Sequence, residues 1–108
     1  MRDNMEITDL NCDEFLSKAE LPVMLVYRAD FCGPSAALEP YTDQIVVEYG
    51  SRLLVVEIDV EKMTGITRKY LVKQTPTMML FIKGEPVATR MGTASMKTLR
   101  SWLEQYIP

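Results

Sequence analysis

Pro22-Val23-Met24-Leu25-Val26-Tyr27-Arg28-Ala29-Asp30-Phe31-Cys32-Gly33-Pro34-Ser35 is an apolar run that ends at a cysteine and then opens into helical spacing. Val23 to Arg28 reads as a buried strand, and Ser35 to Tyr49 reads as a helix with apolar residues at Leu38, Tyr41, Ile45 and Tyr49. A cysteine is therefore handed from a strand to the start of a helix. Residues Gly33 to Ala36 would set unpaired backbone N–H groups and the positive end of the helix dipole against the Cys32 sulfur. Both favour thiolate, and cysteines so placed titrate at about 3.5–7.5 instead of ~8.5. Gly33 permits close backbone approach, and Pro34 lacks a donor that the first helical turn could not pair anyway. The C-x-x-C spacing of a dithiol site is half present, because its second place is Ser35.

Other elements follow from period and punctuation. Leu10-Asn11-Cys12-Asp13-Glu14-Phe15 carries a helix start, with Asn11 as cap, Glu14 closing a capping box and Leu10 stapled to Phe15; the helix is expected to run to about Ala19. Leu53 to Val60 is a second apolar run, and both runs are expected to be central, parallel strands. Pro40 is expected to kink the intervening helix, and Gly50 to stop it. A short helix over Met63 to Tyr70 precedes the strand Thr77 to Ile82, a turn at Lys83-Gly84-Glu85 and a returning strand from Pro86 to Met91. Ser95 caps a last helix from Met96 to Ile107. The β-α-β-α-β-α-β-β-α order predicts an α/β fold, a mixed sheet covered by helices on both faces.

The 108 residues suffice for one domain, 1–108, with a single core. Met1-Arg2-Asp3-Asn4 leads into no signal-like stretch, and no apolar run approaches a bilayer span, so a soluble cytoplasmic protein is expected. Two cysteines are too few for a disulfide scaffold. Net charge −3 without a basic stripe argues against nucleic acid. The eight methionines read as core filler, because no histidine or clustered ligand accompanies them to hold a metal. Cys12 reads as an ordinary helix residue, and Tyr27, Tyr41, Tyr49, Tyr70 and Trp102 as packing residues with a polar edge at water.

Taken jointly, Phe31-Cys32-Gly33-Pro34, Pro40, Asp59, Lys69-Tyr70, Thr75-Pro76-Thr77, Phe81 with Gly84, and Gly92 resemble the thioredoxin family over essentially the whole chain. The resemblance implies the thioredoxin fold, with Cys32 exposed at the tip of a strand and a cis proline at Pro76 facing it. Thr75 would then offer its backbone to an extended substrate segment. Phe31, Val60, Met91, Gly92 and Thr93 would form the apolar rim of that groove. Cys32 would be the nucleophile toward protein disulfides or glutathionylated cysteines, in a protein expected to be a monomer without a cofactor.

The departures are as informative. Ser35 stands where the family carries the resolving cysteine, and a hydroxyl is far too basic to release a mixed disulfide. An external thiol such as glutathione would have to do so, and a flavin-dependent reductase would find no internal disulfide to reduce. Val26 replaces the family's buried aspartate, Arg28 its tryptophan and Glu57 its lysine. Glu57 and Arg28 are thus candidate modulators of the Cys32 pKa, or simply charges that pair at strand ends. Two other readings fit these residues. One is a non-catalytic binding module that uses the Thr75-Pro76 groove. The other is a cysteine-to-serine replacement made to trap partners, against which the changes at Val26 and Arg28 speak.

Overall fold

The computed structural model describes residues 7–30 and 32–107. In chain order its elements are α1 (Cys12–Lys18), β1 (Val23–Arg28), α2 (Gly33–Tyr49), β2 (Leu54–Asp59), α3 (Thr64–Lys69), β3 (Thr77–Ile82), β4 (Glu85–Met91) and α4 (Met96–Glu104). Among the described residues no strand precedes α1, where the expected order places one.

Both faces of β1 are covered, which is why its sequence does not alternate. Side chains of a strand point to opposite faces in turn. Met24 and Val26 pack with Leu38, Ile45 and Tyr49 of α2 and with Leu99, Trp102 and Leu103 of α4. Val23, Leu25 and Tyr27 join Cys12 and Leu16 of α1 and Ile66 of α3 on the other side. β3 divides in the same way, Met78 and Leu80 to the first cluster and Met79 and Phe81 to the second. Each large side chain so buried contributes roughly 1.5–3 kcal/mol.

The strand order is β2-β1-β3-β4. β1 runs parallel to β2 and antiparallel to β3, and β3 is antiparallel to β4. Lys83 and Gly84 connect the last pair with φ of 53° and 83°, the two positive angles that a tight hairpin demands. A Cβ at Gly84 would also stand 3.1 Å from the Ser17 Cα, so glycine lets the turn approach α1. With these directions, the ends of β1, β2 and β4 and the start of β3 meet along one edge of the sheet.

Some local expectations hold, and others yield to stronger partners. The Asn11 amide oxygen accepts from the Thr8 N–H at 2.8 Å instead of capping α1, and Glu14 pairs with Lys18 at 2.8 Å. Leu10 is 97% exposed, so it staples nothing. Gly50 ends α2 in the right-handed region, φ −52°, and the chain turns through Arg52 and Leu53 N–H groups that both reach the Tyr49 carbonyl. Pro40 lies inside a helix that continues to Tyr49. β2 is parallel as expected, yet among the described residues it ends the strand order instead of lying inside it, and Leu54, Val55 and Val56 are only half-buried. α4 closes at Glu104, after which the Ile107 N–H still reaches the Leu103 carbonyl. Tyr27 keeps no edge at water: it is fully buried, and among the described residues its hydroxyl has no hydrogen-bond partner.

Candidate active site

Cys32 occupies the N-cap of α2 in an extended conformation, φ −99° and ψ 110°. Its carbonyl accepts the Ala36 N–H at 3.1 Å, so the first turn winds directly from it. Gly33 and Pro34 fill the first helical places, and Ser35 comes third. A Cβ at Gly33 would meet nothing within 4 Å, so the close approach expected of this glycine is not to the chain's own atoms.

The start of β3 faces that cysteine. The Thr75-Pro76 peptide bond is cis, and the Cys32 Sγ lies 3.5 Å from the Thr75 carbonyl oxygen. Pro76 is buried, and its carbonyl accepts the Gly92 N–H at 2.8 Å, while Thr77 and Met91 pair across β3 and β4. The structure thus brings Thr75 beside Cys32, with Pro76, Met91 and Gly92 joined at the adjoining ends of β3 and β4. Met91 is 64% exposed, an apolar side chain open to a partner. Val60 stands at the same sheet edge, its N–H bonded to the Arg28 carbonyl at 3.0 Å, and Thr93 is exposed just past Gly92. Phe31 lies outside the described residues.

The Cys32 pKa is lowered from that of an ordinary thiol, first by the Ser35 hydroxyl, then by Thr75, then by the Ser35 backbone N–H. Ser35 is only 7% exposed, and its hydroxyl has no hydrogen-bond partner among the described residues. Arg28 and Glu57, the modulators expected from the sequence, are not among the groups that lower the Cys32 pKa. Arg28 is divided between two carboxylates, with Nη1 2.9 Å from Asp30 and Nε 3.1 Å from Glu57. These three charges stand at a cavity of about 130 Å³ that is lined also by Val26, Ser35 and Pro76.

Cys12 has the opposite surroundings. It is fully buried in the core cluster beneath α1, and burial with the nearby Asp13 and Asp9 pushes its pKa up to about 11. Both cysteines are free thiols. Only Cys32 has the exposure and the donors of a nucleophile. The sequence recorded Ser35 as an absent sulfur and missed its hydroxyl as the chief group acting on Cys32; the signal was its place three residues after a helix-capping cysteine. Among the described residues no three His, Cys, Asp or Glu side chains gather to hold a metal, and no helix is long and apolar enough to cross a membrane.

A mixed sheet between helix pairs, with a thiol at a helix start facing a cis proline, defines a thioredoxin-fold thiol protein. The thioredoxin family profile matches residues 3–105, and the chain belongs to that family. It is 34% identical over 102 residues to the thioredoxin of Porphyra purpurea and 31% identical over 103 residues to that of Pseudomonas aeruginosa, with about 95% of each chain covered in both cases. It is also 27% identical over 107 residues to the chloroplastic M-type thioredoxin of Spinacia oleracea, covering 99% of this chain and 59% of that one. Family membership supports thiol-disulfide oxidoreductase chemistry as the general class of activity.

Proposed function

We propose that this protein is a monothiol thiol-disulfide exchange protein acting in the cytoplasm. The observation that carries this reading is the pairing of a Cys32 whose pKa is lowered with a hydroxyl at the resolving place. The Cys32 thiolate attacks one sulfur of a protein disulfide, or the disulfide of a glutathionylated cysteine. A Cys32 mixed disulfide forms, and the other sulfur leaves as thiolate. Ser35 cannot act as a second thiolate, so an external thiol such as glutathione completes the cycle. The open Met91 side chain and the Thr75 backbone would hold the substrate segment, extended, over the sulfur. No cofactor is needed, because each step exchanges one S–S bond for another. The protein works as a monomer in this reading.

The test is turnover of a protein disulfide with glutathione present or absent. The native chain is expected to turn over only with glutathione, Cys32→Ser to be inactive, and Ser35→Cys to form an internal disulfide with Cys32. Equal activity of the native chain and Cys32→Ser would overturn the proposal in favour of a groove-binding module.

A further inference from the structure

Leu71 follows the last turn of α3 with φ of 59°, and its side chain is 75% exposed. A single exposed leucine is ordinary, but one in the left-handed region is not, because a Cβ is strained there and glycine is the usual residue just past a helix. Leu71 gains no burial in return for that strain. Its neighbours are anchored. Val72 packs against the core cluster shared with α1 and returns its N–H to the Thr67 carbonyl at 3.0 Å, and the Thr77 hydroxyl donates to the Gln74 carbonyl at 2.8 Å. Leu71, Lys73 and Gln74 are thereby presented to water on a held segment that leads into Thr75.

The charges of this segment are uncompensated. Lys69 is held by Asp13 at 2.6 Å, whereas among the described residues Arg68 and Lys73, both exposed, have no ion-pair partner. Toward α2 and β2 the sign is reversed, for three carboxylates, Asp30, Glu39 and Glu57, stand around the cavity with one guanidinium, Arg28. An acidic segment is therefore repelled on that side of Cys32 and attracted on the side of Lys73. Thr75 joins the two sides at the Cys32 sulfur, and Lys73 lies only two residues before it, ~7 Å of extended chain. A segment added to the Thr75 backbone pairs best antiparallel, which sets the residues after its cysteine along Lys73 and then Leu71.

We propose that Arg68, Leu71 and Lys73 form a docking strip that selects substrates carrying acidic residues and an apolar side chain just after the reactive cysteine. This rests on the exchange reading above and names the substrate class for it. The two cations attract the acidic residues, and Leu71 meets the apolar one, so that both leave water on binding. The strained φ of Leu71 is retained for that contact. The net charge of −3 gives the whole chain a general attraction for basic substrates. A preference for acidic ones therefore has a local source, within the ~8 Å over which exposed charges act in physiological salt.

The experiment follows Cys32 attack on peptides of equal length, each joined at its one cysteine to thiopyridine, by the thiopyridone released. The residues after the cysteine are acidic and apolar, basic and apolar, or acidic and polar, and each rate is divided by that of mercaptoethanol on the same peptide. In dilute buffer the acidic-apolar peptide is expected to react about tenfold faster than the basic-apolar one, and the two to react alike in salt of about 1 M, where screening acts within ~3 Å. Arg68→Glu with Lys73→Glu should reverse the order, any effect on the Cys32 thiol itself cancelling in the ratio. Leu71→Gly relieves the positive φ and keeps the fold; it should slow the acidic-apolar peptide roughly fivefold and leave the acidic-polar one unchanged. An acidic-to-basic ratio near one in dilute buffer, a ratio unmoved by the double charge reversal, or a Leu71→Gly as fast as the native chain on the acidic-apolar peptide would overturn the inference while leaving monothiol exchange intact. No attack by Cys32 on any of the peptides would overturn both.

Discussion

The Cys32 sulfur and the Thr75 carbonyl oxygen, 43 residues apart in the chain, lie 3.5 Å apart in the structure. The contact joins the β1-α2 junction to the segment entering β3, so any substrate that reaches the thiol also meets the Thr75 backbone. Thr75 follows the Ser35 hydroxyl among the groups that lower the Cys32 pKa. Thr75→Val, which keeps the shape and removes the hydroxyl, should therefore move the pH profile of Cys32 alkylation upward, by less than Ser35→Ala does. A larger shift for Thr75→Val would show that the order of the two donors is reversed.

How much of this was legible in the sequence depended on how local each cause is. β1 and β3 were readable to their ends because burial on both faces leaves an unbroken apolar run, Val23–Arg28 and Thr77–Ile82. The hairpin was readable because two positive φ angles in succession need a residue such as Gly84. The cap at Asn11 was misread because a side-chain amide close to two N–H groups can choose either, and Thr8 holds it. Pairing of the strand-end charges Arg28, Glu57 and Asp30 was one of the readings of the sequence, and Arg28 does meet both carboxylates, helped by the register that sets Val26 against Glu57 and Arg28 against Asp59. The role of Ser35 was hidden, since its missing sulfur is visible in one dimension and its burial is not.

The start of α3 is held from a distance. Met63 offers no side-chain cap, and the Asp9 carboxylate instead accepts the Gly65 and Ile66 N–H groups at 3.0 and 2.9 Å. Asp9→Ala should lower stability by about 1 kcal/mol, the ordinary value of a lost helix cap, and Asp9→Asn by less. Denaturant midpoints measure this. No change in Asp9→Ala would mean that solvent serves those N–H groups as well.

Alkaline stability should register Cys12. Its pKa is raised in the folded state, chiefly by burial, so folding holds the thiol proton more tightly than the unfolded chain does. That contribution is fully present below the ordinary thiol value of ~8.5. It is lost as pH rises toward about 11. Tyr27, raised by burial too, acts in the same direction. Replacing Cys12 with Ala should make the decline of stability with rising pH shallower, and equal slopes for the two proteins would contradict the assignment.

The most direct measurement is the alkylation rate of Cys32 against pH, resolved by site with Cys12 in the same chain as the control. The helix start, Ser35 and Thr75 together require a Cys32 titration below the free-thiol value of ~8.5, and a Cys12 that stays unreactive through that range. A Cys32 that titrates at or above that value would contradict the claim that this site is built to present a thiolate.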